Sequence, residues 1–178
     1  MSRLLTIATA ALVFSAPRAA AHEAPVSAAA KAAYAPYEWL IGDWISNNGG
    51  TVVRQSLTWG PHRAYVRYTT FMAIAGKPEI IHFDGIAVWN GKSKVLDYVF
   101  AVEPGSTVQE KGTIHANADG SLVREVEFTG ADGETGQFRQ TFRKTGPDSA
   151  VSSLMRQTAA GWEPTFPGSD RLLMKRSQ

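Results

Sequence analysis

The stretch NGKSKVLDYVFAVEPG, residues 90–105, holds a turn signal at each end and one strand between them. Asn90-Gly91 and Pro104-Gly105 interrupt regular structure: Gly tolerates positive φ, Pro fixes φ, and Asn bonds its own backbone. Between them Leu96, Tyr98, Phe100 and Val102 fall on one face, while Asp97 and Glu103 mark the other. That period of two belongs to a half-buried strand. The same punctuation recurs outward at Gly76-Lys77-Pro78, Asp119-Gly120, Asp132-Gly133, Gly146-Pro147 and Ala160-Gly161, one signal every thirteen to fifteen residues. Such a unit holds a strand of about ten residues and a short turn, too little for a strand-helix-strand crossover. The series predicts an up-and-down antiparallel meander.

The strands expected are 43–47, 51–59, 63–74, 79–89, 94–103, 107–115, 122–129, 136–144, 149–158 and 170–176. In 136–144, Phe138 and Phe142 oppose Arg139, Thr141 and Arg143. Pro36 to Gly42 predicts a single helical turn, with Pro at its start and Gly at its end. Gly161 to Ser169, with Trp162, Pro164, Phe166 and Pro167, reads as irregular. A meander removes its exposed edges by closing into a barrel. A membrane barrel needs an apolar, lipid-facing side on every strand. Strand 107–115 has Thr107, Gln109, Lys111 and Thr113 on one face and Glu110 on the other; strand 122–129 has Glu125 and Glu127 against Arg124. Lys or Arg on a lipid face costs about 2–4 kcal/mol at the midplane. The expectation is an all-β, soluble antiparallel up-and-down barrel of eight to ten strands with a short N-terminal helical turn.

The 178 residues suit one domain. Arg3, the apolar run Leu4 to Phe14 and the small residues Ala19-Ala20-Ala21 form a secretory signal pattern. The division expected is a signal peptide at 1–21, a linker at 22–35 that is Ala-rich and able to form a short helix, and a barrel domain at 36–178, with periplasmic or secreted localisation. The whole sequence has 18 basic and 16 acidic residues, and loss of Arg3 and Arg18 makes the balance even. Net charge therefore gives no support for nucleic-acid binding. The absence of cysteine excludes disulfides, thiolate nucleophiles, zinc-thiolate sites and iron–sulfur clusters. Beyond the leader no stretch is long and apolar enough to span a membrane as a helix. No cofactor motif is present, whether a phosphate-binding Gly-rich loop, Gly-x-Ser-x-Gly or His-Glu-x-x-His.

At Trp39-Leu40-Ile41-Gly42-Asp43-Trp44 the chain resembles lipocalin-like, or calycin, barrels, which open with a helical turn leading into Gly-x-Trp. Residues 36–176 are similar to an uncharacterised family of small secreted bacterial proteins with such a barrel. The resemblance is carried by that opening, by Ile80-Ile81-His82-Phe83-Asp84-Gly85 before Asn90-Gly91, and by Leu172-Leu173-Met174-Lys175-Arg176. It implies that Arg176 or Lys175 packs over Trp44 as a cation–π contact. It implies no catalytic residues.

Arg124 shares an inward-looking face with Leu122, Val126 and Phe128. It would either anchor a ligand carboxylate through its planar fork or pair with Glu110 as a structural ion pair. Tyr98, Gln140, Tyr68 and Thr70 also lie on apolar faces. They supply polar contacts to a pocket or are satisfied core groups. Phe71, Phe83, Trp89, Phe100, Phe138 and Phe142 read as core, with Phe100 bordering the pocket. His82 and Asp84 alternate on one strand and so share a face, the arrangement a general base needs, or form a solvated rim pair. His22, His62 and His115 are scattered without metal-ligand spacing. The function expected is binding of a small hydrophobic or amphipathic ligand inside the barrel. The alternatives are a barrel enzyme of isomerase, cyclase or dehydratase type using His82 and Asp84, or a non-enzymatic envelope protein with a solid barrel.

Overall fold

The computed structural model describes residues 25–177. The expected signal peptide, and His22 after it, lie outside the described residues. Helix α1 (Ala28–Tyr34) runs directly into a 3₁₀ turn (Ala35–Leu40). The strands follow as β1 (Gly42–Asn48), β2 (Thr51–Trp59), β3 (Val66–Ile74), β4 (Ile80–Asn90), β5 (Val95–Val102), β6 (Gln109–Ala116), β7 (Leu122–Thr129), β8 (Thr135–Gly146), β9 (Ser149–Thr158), β10 (Gly161–Pro164) and β11 (Leu172–Arg176). Each strand from β1 to β9 pairs antiparallel with the next, and β9 also pairs with β11, which returns to β1. The result is a closed antiparallel barrel of ten strands.

The stretch 161–169, expected to be irregular, instead contains β10. β10 and β11 lie along the same edge of β9, Gly161–Pro164 opposite Met155–Thr158 and Leu172–Lys175 opposite Ser149–Ser152. They form one broken stave. Residues 165–171 leave the sheet between its halves, held where Leu154 donates to the Ser169 carbonyl at 2.6 Å and Thr165 donates to the Leu154 carbonyl at 3.2 Å. At the N-terminus the short helix that the Ala-rich linker allowed is present. The end of the segment read as a linker is helix α1, and its last residue, Tyr34, is buried.

The outer wall carries ion pairs between neighbouring strands, Arg67–Asp84, Lys111–Glu127 and Glu125–Arg139, at 2.8–2.9 Å. Those charges face water, because a lipid-facing wall would have to desolvate each of them. Among the described residues no helix is long and apolar enough to cross a membrane.

One barrel end is capped. Tyr34, Tyr37 and Leu40 are buried there. The Tyr34 hydroxyl donates to the Ala64 carbonyl at 3.0 Å and accepts from the Trp89 amide at 3.0 Å, while Tyr37 donates to the Ile114 carbonyl at 3.1 Å. Beneath the cap, Trp44 is fully buried and its indole N–H donates to the Leu40 carbonyl at 2.7 Å. Arg176 lies over the Trp44 ring at 4.4 Å and donates to the Ile41 and Trp39 carbonyls at 2.7 and 3.0 Å. Of the two basic residues considered for this contact, Arg176 makes it. Gly42 has a φ of +119°, and a Cβ there would overlap the Arg176 guanidinium. The Gly-x-Trp spacing is thus a packing requirement between first and last strands.

At the opposite end, the rim, the inward side chains Val53, Met72, Phe83, Phe128, Phe138 and Leu154 are only half-buried. Toward the cap, Phe100, Leu122 and Phe142 are fully enclosed. Inward side chains are thus fully enclosed toward the cap and mostly half-buried toward the rim.

Candidate functional site

Arg124 pairs through its backbone with Ile114 of β6 and Gln140 of β8, so its side chain projects into the barrel. It is 4% exposed. From there it reaches toward the rim and brings Nη1 to 3.4 Å from Oε2 of Glu110, itself 5% exposed. The rings of Tyr68, Phe83, Tyr98 and Phe100 surround the guanidinium carbon, their centroids 5.5–6.0 Å away. Aromatic faces within about 6 Å attract a cation through their quadrupole. The four rings therefore form a cage for the buried charge.

Two glycines make the cage possible. Gly85 lies opposite Tyr68 on β3 and Phe100 on β5, and Gly112 lies opposite Tyr98 on β5. A Cβ at Gly112 would overlap the Glu125 carbonyl oxygen and press on the Tyr98 ring, and one at Gly85 would overlap the Val99 carbonyl and Phe100. Gly112→Ala is expected to cost about 1–3 kcal/mol through overpacking against backbone, measured as a lower urea midpoint with unchanged slope. An unchanged midpoint would show that the strands admit a Cβ here without displacing the Glu125 carbonyl.

The site residues expected from sequence converge here. Tyr68, Thr70, Tyr98, Phe100 and Gln140 are all buried inside the barrel. Tyr98 donates to the Glu125 carbonyl at 3.2 Å, and Gln140 donates to Ser152 at 3.0 Å. Gln55, also buried, joins them from β2. It was not expected, although its alternation with Val53 and Leu57 marks it as inward. Burial pushes the Tyr68 hydroxyl up to about 12 and raises that of Tyr98 as well. Both stay protonated at neutral pH and act as donors, not bases.

The ion pair is incompletely satisfied. A charge-assisted N–H···O bond is about 2.7–2.9 Å long, shorter than the 3.4 Å separation found here. Arg124 Nε, Glu110 Oε2, Gln55 Oε1 and Gln140 Oε1 have no hydrogen-bond partner among the described residues. Burial raises the Glu110 carboxyl above the ordinary glutamate value in spite of Arg124. For Arg124, burial is the strongest influence and works against the charge, but Glu110, Tyr98 and Tyr68 together outweigh it and the guanidinium stays protonated.

His82 and Asp84 do not meet, contrary to the shared face expected from alternation. The β3–β4 register runs Thr70 opposite Phe83 and Phe71 opposite Ile81, so His82 is the extra residue of a bulge. An added residue breaks the alternation of faces. Asp84 is on the outer wall, where Arg67 donates to it at 2.8 and 3.2 Å and Thr69 at 2.8 Å. Burial works to raise its carboxyl, but these donors hold it below the usual range. His82 stacks on Phe83 at 4.0 Å, with Nδ1 3.8 Å from Glu103. Burial, with Arg124 adding to it, lowers its basicity against the pull of Glu103. Among the described residues no group of three His, Cys, Asp or Glu side chains could hold a metal ion.

Two grooves of about 440 and 400 Å³ lie on the outside, one between α1 and the barrel beside Trp89 and Lys94, the other beside Glu127, Gln137 and Gln157. Neither is lined by Arg124. Fold and site together define a closed antiparallel barrel, compatible with a lipocalin-like architecture, whose centre holds an ion pair in an aromatic cage. Comparison with known proteins adds no relative: no family model matches the chain, and no curated protein does.

Proposed function

We propose that the barrel binds a small amphipathic molecule with a carboxylate head. The head pairs with Arg124 in place of Glu110, and the apolar part lies among the half-buried rim side chains Met72, Phe83, Phe128 and Phe138. The observation that carries this is the ion pair itself, enclosed yet short of hydrogen bonds. A buried pair of this kind is often no more stabilising than apolar residues of the same volume, so core packing alone gives no reason for it. A planar guanidinium with an unpartnered Nε–H is suited to a second carboxylate. The half-buried Phe83 ring, 6.0 Å from the guanidinium, lies on the rim side of the site and would have to move with Glu110 to admit the head. The signal pattern at residues 1–21 supports export of such a protein to the periplasm or out of the cell.

The catalytic alternative has less behind it, because His82 and Asp84 are held by different partners and the interior tyrosines keep their protons. A solid barrel acting through its surface is favoured by the filled capped half, and the binding test separates it from the proposal. Native mass spectrometry of protein purified from its own cell envelope, followed by titration with decanoate, is the measurement. Bound acid or a decanoate adduct is expected on the native chain. The apolar variant Arg124→Met/Glu110→Leu, which keeps the interior filled, is expected to bind decanoate roughly ten- to a hundredfold more weakly, as lost charged hydrogen bonds dictate. Native protein that is empty and refuses decanoate overturns the proposal in favour of the solid barrel.

A further inference from the structure

We propose that carboxylate binding at Arg124 is coupled to protonation of Glu110, so that the barrel takes up an acid anion together with a proton. The inference rests on the binding function proposed above and adds its regulation. The barrel interior holds one guanidinium and one carboxylate within 3.4 Å of each other. An incoming carboxylate would place two negative charges beside one positive charge in an enclosure where Arg124 and Glu110 are each almost fully buried. Two carboxylates sharing a buried site do not both stay ionised. Charge balance is restored when Glu110 takes a proton from solvent and becomes a neutral acid, leaving the ligand carboxylate on Arg124. Protonated Glu110 then gains a donor O–H, and the unpartnered carbonyl oxygens of Gln55 and Gln140 are buried acceptors in the same interior.

No other group facing this centre takes the proton as readily. The titratable side chains around Glu110 are Arg124 from β7, Tyr98 from β5 and Tyr68 from β3, with His82 from β4 near the guanidinium. Arg124 is already protonated, and the two tyrosines already hold their protons. His82 resists protonation through its burial and the nearby guanidinium. Glu110 is the one whose burial already favours the neutral form. By linkage, affinity for the anion falls as pH rises, by about tenfold per unit wherever about one proton is taken up per ligand.

The test is titration calorimetry of the full chain with decanoate near neutral pH, in buffers of different ionisation enthalpy, with decanol as a probe lacking the charge. Uptake of about one proton per decanoate, and none with decanol, is expected. Glu110→Gln is expected to abolish the uptake and to make decanoate affinity nearly independent of pH. Decanoate binding to the native chain without proton uptake would overturn the coupling and leave the binding function standing. Uptake that persists in Glu110→Gln would also overturn it, since the proton would then reside elsewhere. Failure of both proteins to bind decanoate between about pH 5 and 8 would overturn the binding function itself, and the coupling with it.

Discussion

Arg124→Ala is expected to lose about 3–5 kcal/mol of stability at neutral pH, the usual result of removing one partner of a buried ion pair. That is a large part of the roughly 5–15 kcal/mol that holds a typical domain together. The loss has two sources. Glu110 is left enclosed with no cation beside it, and the rings of Tyr68, Phe83, Tyr98 and Phe100 lose the group they surround. The first source depends on pH, and its sign is fixed. Burial already raises Glu110 in the native protein against the pull of Arg124, and removing Arg124 leaves that rise unopposed. A carboxyl whose folded pKa lies above its unfolded value is fully stabilising below the unfolded pKa and loses that contribution as pH rises through the folded one. The deficit of Arg124→Ala should therefore be smaller near pH 4 than near pH 8, as read from urea midpoints across that range. The pair variant Arg124→Met/Glu110→Leu is expected to be as stable as the native chain or more so. A deficit that does not change with pH would mean that Glu110 stays ionised and solvated, in conflict with its enclosure.

Most of the barrel was readable because turn chemistry and a period of two are local signals. The face of β5 from Leu96 to Val102 and the inward direction of Arg124 follow from alternation alone, and the register with Ile114 and Gln140 agrees. β10 escaped because Gly-Trp-Glu-Pro is short, ends in proline and pairs only with β9. A short helix in the Ala-rich linker was allowed for, but its docking as helix α1 was not legible. Its alanines favour helix without forming an apolar stripe, and Tyr34 is fixed by Ala64 and Trp89, far away in sequence. The bulge at His82 leaves no mark in composition, yet it removes the catalytic arrangement that strict alternation implied. The distribution of space inside the barrel was also unreadable. Filling at the cap and looseness at the rim depend on side chains from ten strands meeting at once, and on Gly85 and Gly112 admitting the aromatic cage.

Trp44→Ala is the second large effect, about 3–5 kcal/mol for deleting a fully buried indole. Trp44 has no exposed surface, stands edge-on to Trp39 with ring centroids 6.3 Å apart, and lies beneath Arg176. Trp44→Phe separates packing from hydrogen bonding, since it keeps most of the ring but strands the Leu40 carbonyl, and should cost about 1–3 kcal/mol. Arg176→Ala removes a cation–π contact worth about 0.5–2 kcal/mol together with the bonds to Trp39 and Ile41. Because all these groups meet on one turn of chain, the two alanine variants should not add: their combined loss should fall short of the sum by about 0.5–3 kcal/mol. Agreement with the sum to within about 0.5 kcal/mol would show that indole and guanidinium act independently. The same geometry says where the weakened barrel yields first. Leu40, Ile41 and Trp39 carbonyls tie the helical cap to β1 and β11 through Trp44 and Arg176 alone among the side-chain bonds found there. Either variant should therefore raise amide hydrogen exchange in Ala28–Leu40 more than in β6 or β7. Uniform acceleration across the barrel would instead mean that cap and wall unfold as one unit, with Tyr34 and Tyr37 sufficient to hold the cap in place.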